Sequence, residues 1–320
     1  MKEIDLLEVG GFRAGHAQDR EAGTGCTVLL FDGCAPAGVD IRGGGPASRE
    51  TPLLDPRMDA KGIHALLLSG GSAFGLDAAG GVMRYLEERD IGFDTGVTKV
   101  PLVCQSCIFD LAVGRPDVRP DAAMAYRACE NASREPLANG CVGGGTGACV
   151  GKYRGREFAM KTGIGTWAAQ VGEIRVGAVV VLNALGDIFD IDTGKQIAGM
   201  RTEDGRGLRS SAQALWEDAG QCRSLFTGNT TIGAVLTNGA FNKAELGKIA
   251  AMAHNGYARA IRPVHTTADG DSIYALSVGT QTADLNAVGS LAAYVMGKAI
   301  SRAVQAAEPM FGLPSASSLD

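Results

Sequence analysis

Asn229 and Thr230 offer the clearest chemistry in this sequence of 320 residues. Thr230 carries a hydroxyl just before an apolar run, Ile232 to Leu236, that predicts a β-strand. If the bond between Asn229 and Thr230 breaks, Thr230 becomes an N-terminus whose α-amine has an ordinary pKa near ~7.7–8.0. A hydroxyl beside such an amine is a recognised nucleophile. The alternative is an ordinary loop entering a strand, because Gly-Asn favours turns and Thr favours strands.

Two further segments end or begin apolar runs with polar side chains. Asp269 and Asp271 stand one residue apart, so on an extended backbone their carboxylates point the same way and can share one hydroxyl or amine. Crowded carboxylates raise each other's proton affinity, which suits proton transfer, whereas the alternative is a solvated turn. Asn183 ends the run from Val179 and can donate to a developing oxyanion, or simply satisfy nearby backbone.

The glycine-rich segment from Gly143 to Tyr153 invites a nucleotide-binding interpretation but fails the P-loop pattern. Thr146 stands where the first glycine is required, and Tyr153 stands where Ser or Thr would bind magnesium. Lys152 is instead of interest as a cation that can lower a neighbour's pKa or hold a carboxylate.

Other candidate groups favour structural roles. His16 and His265 lie outside any Ser-His-Asp arrangement, so neither is predicted to be a general base. Cys104 and Cys107 form a single CxxC pair without a second pair to complete a zinc site. We therefore expect reduced thiols, and neither a metal nor an organic cofactor.

The elements that must position these groups form a mixed α/β pattern. The wholly apolar run from Gly62 to Leu68 predicts a buried strand, followed by a helix that ends near Leu86. Helical spacing also predicts helices over 120–132, 243–260 and 285–304 and a short helix near 212–216, within an exposed, linker-like segment over 204–227. Strands are predicted over 158–162, 176–182 and 188–190, and a hairpin is predicted where Asp32-Gly33 separates 27–31 from 38–41. Such mixing indicates layered sheets covered by helices.

Composition narrows the class of protein. A net charge of −5 without clustered Lys or Arg argues against nucleic-acid binding. The start lacks the features of a signal peptide, and no apolar run is long enough to span a bilayer, so a cytoplasmic location is expected. The 46 glycines are about twice the average usage of roughly 7%, which indicates tight turns and close backbone approaches.

Seven ordered segments together resemble one enzyme family. They are 9–17, 22–28, 68–76, 143–152, Asn183, 229–232 and 262–271. They resemble the L-aminopeptidase/D-esterase and β-aminopeptidase family of N-terminal nucleophile hydrolases, to which the nylon-oligomer endo-hydrolases are similar. The resemblance covers nearly the whole chain, and so many matches in order are more specific than any one of them.

The resemblance implies an αββα sandwich that matures by self-cleavage. Residues 1–229 would form the large fragment and 230–320 the small fragment of one structural domain, assembled as tetramers of processed pairs. The nucleophile carried over is Thr230, a serine in some relatives. By the same match Asn183 stabilises the oxyanion, Asp269 and Asp271 tune the nucleophile, and Lys152 matches a lysine of the nylon-hydrolase-like members.

The implied activity is hydrolysis of small peptides, amino-acid amides or esters, or linear amide oligomers through a Thr acyl-enzyme. A tyrosine that assists relatives has no clear counterpart in 104–109, so the preferred substrate stays open. The alternatives are acyl transfer of the ornithine acetyltransferase type, an uncleaved scaffold without activity, and a glycine-loop nucleotide binder.

Overall fold

The computed structural model describes residues 1–221 and 228–319. The strands are β1 (Lys2–Ile4), β2 (Phe12–Asp19), β3 (Thr24–Ala35), β4 (Ala37–Ile41), β5 (Ala47–Arg49), β6 (Ile63–Ser69), β7 (Phe93–Asp94), β8 (Lys99–Val100), β9 (Val103–Cys107), β10 (Cys149–Val150), β11 (Met160–Lys161), β12 (Ile164–Val171), β13 (Ile174–Asn183), β14 (Asp187–Phe189), β15 (Gln196–Ala198), β16 (Thr230–Gly239), β17 (Ile261–Arg262) and β18 (Ser272–Gln281). The α-helices are α1 (Ala79–Glu87), α2 (Ala122–Glu130), α3 (Ser211–Glu217), α4 (Lys243–Ala260) and α5 (Leu285–Gln305).

Two large sheets dominate the fold. The six-stranded sheet has the order β1-β12-β13-β16-β18-β4, and the five-stranded sheet has the order β2-β3-β6-β9-β5. Within the first sheet β16 runs antiparallel to β13 and parallel to β18. Strands β16 and β18 therefore begin at the same edge of the sheet, and β13 ends there.

Alternation of side chains along the strands divides the core into layers. On β13, Ala178 and Val180 pack with α4 and α5, whereas Val179 and Val181 face the second sheet. On β6, Leu66 and Leu68 enter the core between the sheets, while the alternate residues pack beneath α1 and α2. Because successive strand residues point to opposite faces, each sheet has two apolar faces. The result is four layers in the order helix, sheet, sheet, helix, so the predicted αββα sandwich is confirmed.

The long helices follow the predicted periodicity. Helix α4 begins after Asn242, whose side chain accepts the backbone N–H groups of Ala244 and Glu245 in a capping box. Asp284 caps α5 in the same sense through Ala287. No helix in the described ranges is both long and apolar enough to cross a membrane.

The predictions of short elements are mostly confirmed. The helix near 212–216 is α3, which Asp187 holds by accepting the N–H and the hydroxyl of Ser211 at 2.6 Å each. The strand over 158–162 is shortened to β11, and the strand over 188–190 is β14. The helix after Ser72 begins as a 3-10 helix over Ser72–Ala78 before α1. The predicted linker extends over 222–227, which lies outside the described residues.

The predicted hairpin around Asp32-Gly33 is wrong. Strand β3 continues through both residues to Ala35 and pairs with β2 and β6 in the five-stranded sheet. Strand β4, immediately after Pro36, pairs instead with β18 in the other sheet, with Ala37 opposite Leu276. The apolar residues of the two strands belong to different sheets, and this burial outweighs the local turn preference of Asp-Gly.

Candidate active site

Three strand ends bring the predicted residues together. Thr230 is the first residue of β16, and Asp271 immediately precedes β18. Because these two strands are parallel neighbours, with Ile232 opposite Ser272, their starts lie side by side. Asn183 is the last residue of β13 and lies opposite Thr230 in the antiparallel pair. The sheet topology thus assembles a site from Asn183, Thr230 and Asp271, which lie far apart in the sequence.

The Thr230 hydroxyl lies against the bond that the sequence marks for cleavage. It donates a hydrogen bond to the carbonyl oxygen of Asn229. The same oxygen accepts the backbone N–H of Gly270 at 3.2 Å. Thr230 is only 4% exposed in the continuous chain. In this continuous form of the chain a substrate therefore has little access to the hydroxyl.

The two aspartates lie at the site. Their i, i+2 spacing suggests that both carboxylates share one hydroxyl or amine, but in the structure their partners differ. Asp271 accepts the backbone N–H of Thr231 at 2.7 Å, and its other oxygen accepts the N–H and Nδ1 of His265 at 3.1 and 2.9 Å. Asp269 accepts the N–H of Thr266 at 2.9 Å. Within the described ranges, no hydrogen bond joins either carboxylate to the Thr230 hydroxyl. Asp271 instead fixes the backbone beside the hydroxyl.

Lys152 and Asn183 form a second group on the other side of the cleavage point. The Lys152 amine donates to the Asn183 carbonyl at 3.0 Å, to the Asn183 Oδ1 at 2.9 Å and to the Gly228 carbonyl at 3.0 Å. The Asn183 Nδ2 donates to the carbonyls of Phe109 at 3.0 Å and Gly228 at 3.3 Å. The Gly228 carbonyl thus engages both predicted polar groups.

Burial shifts the proton affinity of the site. Burial lowers the pKa of Lys152 below its ordinary value, with nearby acidic groups opposing the shift. Burial, and then the neighbouring Asp271 carboxylate, raise the pKa of Asp269 to about 6. A less basic amine and a more basic carboxyl are both suited to proton transfer near neutral pH.

The glycine-rich segment and His16, for which the sequence predicts no catalytic role, have hydrogen-bond partners within the fold. The N–H groups of Gly143 and Gly144 bind the side chains of Gln18 and Thr27. They are therefore not directed at a phosphate. His16 bonds to the Thr27 hydroxyl and the Ala138 carbonyl, and burial lowers its pKa, so its structural role is confirmed.

The CxxC pair also lies inside the protein. Cys104 and Cys107 are buried on β9, and burial raises the pKa of each thiol to about 12. Both are free thiols. At neutral pH they stay protonated, which leaves them poor nucleophiles and poor metal ligands.

Sequence reasoning missed three residues of the site. The sequence marks Gly270 only as the residue between the two aspartates and does not show its contact with Asn229. It predicts a structural role for His265 but does not show that Asp271 is its partner. Gly228 has φ +69°, and a Cβ there would lie 2.1 Å from the Phe109 ring. The Asp-Gly-Asp spacing was the one available signal for Gly270, while the others depend on contacts across the fold.

Comparison with solved structures identifies the fold. A β-aminopeptidase from Burkholderia sp. superposes with a TM-score of 0.68 and 20% identity, over 98% of this chain and 92% of that one. The L-aminopeptidase D-Ala-esterase/amidase of Ochrobactrum anthropi, described as a variant of the Ntn hydrolase fold, gives a TM-score of 0.72 and 18% identity over 96% and 87%. The fold is therefore that of an Ntn hydrolase.

Sequence comparison then gives the family. Residues 5–317 match Peptidase family S58, and the chain belongs to this family. An uncharacterized aminopeptidase of Mycobacterium tuberculosis is 38% identical, over 97% of this chain and 96% of that protein. A 6-aminohexanoate-oligomer endohydrolase of Kocuria sp. is 31% identical, over 95% and 87%. The protein is thus a hydrolase of peptide or amide bonds.

Proposed function

We propose that this protein is a self-cleaving amide hydrolase whose nucleophile is Thr230. The observation that carries the proposal is the contact of the Thr230 hydroxyl with the Asn229 carbonyl, at a strand start where Asp271, Lys152 and Asn183 converge. Family membership supports the reaction class. Residues 1–229 and 230–320 are then the two fragments of one folded unit.

The first stage of the proposed mechanism is self-cleavage. The Thr230 oxygen attacks the Asn229 carbonyl carbon, and the hydroxyl proton passes to the neutral form of the Lys152 amine, which burial favours by lowering the pKa and which has given up one of its three donated hydrogen bonds. The carbon–nitrogen bond breaks, the amine of Thr230 gains a proton, and an ester joins Asn229 to the Thr230 oxygen. Water opens this ester and leaves Asn229 as a carboxylate. Asp271 holds the backbone in place through Thr231, and Asp269 takes part in the exchange of protons.

The second stage is turnover. The freed α-amine of Thr230 takes the hydroxyl proton while the oxygen attacks a substrate amide. The substrate nitrogen leaves with a proton, and water then hydrolyses the acyl-enzyme. When the Gly228 carbonyl moves away after the cut, the Lys152 amine and the Asn183 Nδ2, which donate to it in the uncut chain, become free to donate to the substrate carbonyl.

Small peptides and amino-acid amides or esters are the proposed substrates, together with linear amide oligomers. Support comes from the names of the relatives: aminopeptidase, D-Ala-esterase/amidase and 6-aminohexanoate-oligomer endohydrolase. We further propose that processed pairs assemble as tetramers in the cytoplasm.

The decisive experiment is mass spectrometry and N-terminal sequencing of the purified protein after incubation. Wild type should give two fragments, the smaller starting at Thr230, and should hydrolyse an aminoacyl nitroanilide. Thr230→Ala should stay intact and inactive, because it lacks the attacking oxygen. Thr231→Ala is the matched control: the Thr231 hydroxyl is buried and has no hydrogen-bond partner among residues 1–221 and 228–319, so cleavage should continue. Normal cleavage of Thr230→Ala would refute the assigned nucleophile.

A further inference from the structure

The carbonyl oxygen of Asn229 is where negative charge would develop during self-cleavage. When the Thr230 oxygen adds to the carbonyl carbon, the double bond opens and its electron pair moves onto this oxygen. A donor aimed at that oxygen before the reaction stabilises the charge without reorganisation. In the described part of the chain, the backbone N–H of Gly270 donates to this oxygen at 3.2 Å.

Asn183 is directed elsewhere. Its Nδ2 donates to the carbonyls of Phe109 and Gly228, and its Oδ1 accepts from Lys152 and from the Cys149 N–H. The side chain is fully buried, so these bonds fix its orientation. None of its bonds within the described ranges reaches the Asn229 oxygen.

We infer that the backbone N–H of Gly270 is the oxyanion donor of self-cleavage and that Asn183 serves only the later reaction with substrate. This inference rests on the proposed function. The two stages would then use different oxyanion donors around one threonine hydroxyl.

The surroundings of Gly270 support this assignment. A Cβ at this position would lie 2.8 Å from the Thr230 Oγ1 and 2.8 Å from the Gly45 carbonyl oxygen, closer than real Cβ atoms come. The absence of a side chain therefore lets the peptide plane approach both the nucleophile and the carbonyl that it attacks. A glycine at position 270 thus allows close contact between the backbone and the reacting atoms.

The flanking bonds hold this peptide rigidly. The Asp269 carbonyl accepts the N–H of Gly45 at 2.9 Å, and the side chains of Asp269 and Asp271 are anchored by Thr266 and Thr231. A donor with so many fixed neighbours is preorganised, which is the condition for strong stabilisation of a developing charge.

The test replaces the N–H of residue 270 with oxygen and leaves every side chain unchanged. Cell-free translation with nonsense suppression inserts glycolic acid for Gly270, which converts the preceding amide into an ester. The ester also weakens the Asp269 carbonyl as an acceptor, so the matched control is glycolic acid at position 45, which removes the N–H that this carbonyl accepts. Fragment appearance is followed by mass spectrometry and divided by the folded fraction, measured as protease resistance.

The expected result is self-cleavage slowed about 10²–10³-fold by the ester at 270 and little changed by the ester at 45. Equal rates for the two esters, with wild type cutting normally, would overturn this inference and leave the proposed function standing. An intact bond between Asn229 and Thr230 in incubated wild type would instead overturn the proposed function and this inference together.

Discussion

At the scale of single residues, two buried lysines both donate to oxygen atoms of the protein, and Lys152 is the one of the two that lies at the candidate site. Lys152 donates to three oxygens beside the cleavage point, whereas Lys161 donates to the carbonyls of Gly145, Ala148 and Thr162, none of which is a partner of Lys152. Burial lowers the pKa of both amines. The pair therefore separates a chemical contribution from the general cost of removing a buried amine.

Lys152→Met should slow self-cleavage by about 10²-fold, the lower range for loss of a proton-transfer group. Burial lowers the pKa of Lys152 below the ordinary lysine value of 10.5, so the neutral amine becomes the main form before the pH reaches 10.5. The wild-type rate should therefore rise with pH and level off below that value. The measurement is the rate of fragment formation against pH. Lys161→Met should lose stability but keep the wild-type pH profile in its folded fraction. A wild-type profile in Lys152→Met would remove Lys152 from the chemistry.

At the scale of elements, each face of the six-stranded sheet buries a tyrosine, and the two have opposite hydrogen-bond status. Tyr274 on β18 faces the second sheet, where its hydroxyl bonds the Ser106 hydroxyl at 2.8 Å and the Gln105 carbonyl at 3.2 Å. Tyr257 on α4 packs on the other face, and its hydroxyl has no partner within the described residues. The two phenols therefore contribute differently to stability.

Tyr257→Phe should raise the free energy of unfolding by about 1 kcal/mol, since it removes a buried hydroxyl that gains nothing in exchange for lost hydration. Tyr274→Phe should lower that free energy by about 1 to 2 kcal/mol, because it leaves the Gln105 carbonyl and the Ser106 hydroxyl short of a bond. Both are measured by urea unfolding in a Thr230→Ala background, which keeps one chain. Equal effects of the two substitutions would contradict the assigned hydrogen bonds.

The elements also show how far sequence reasoning reached. Helix α4 was predicted with its observed bounds because its apolar spacing and its cap are both local signals. The sheet switch at Pro36 was missed, because which sheet receives β4 is decided by burial against strands more than 200 residues away. Strand ends and resemblance predict Thr230, Asn183 and Asp271 as site residues. They do not predict Gly270, because its N–H acts through a backbone contact that no residue type announces.

At the scale of the whole molecule, the proposed cut would leave two fragments that share the six-stranded sheet and the small sheet β15-β14-β17. Strands β16 and β18 of the small fragment lie between β13 and β4 of the large fragment. Eight residue pairs join β13 to β16, from Val176 opposite Thr237 to Asn183 opposite Thr230. Helix α5 of the small fragment packs in the same core as residues of β12 and β13.

This interleaving predicts that cleavage does not separate the fragments. Pulling residues 230–320 away would break backbone hydrogen bonds along three strand pairs, β13–β16, β18–β4 and β14–β17, and expose the apolar faces of both large sheets, so the loss is that of unfolding itself. Size-exclusion chromatography of cut protein should show both fragments in one peak at the position of uncut Thr230→Ala. In strong guanidinium chloride the cut protein alone should divide into two species. Release of the small fragment under native conditions would show that the sheet does not hold the two fragments together after the cut. The two fragments could then not be regarded as a single enzyme.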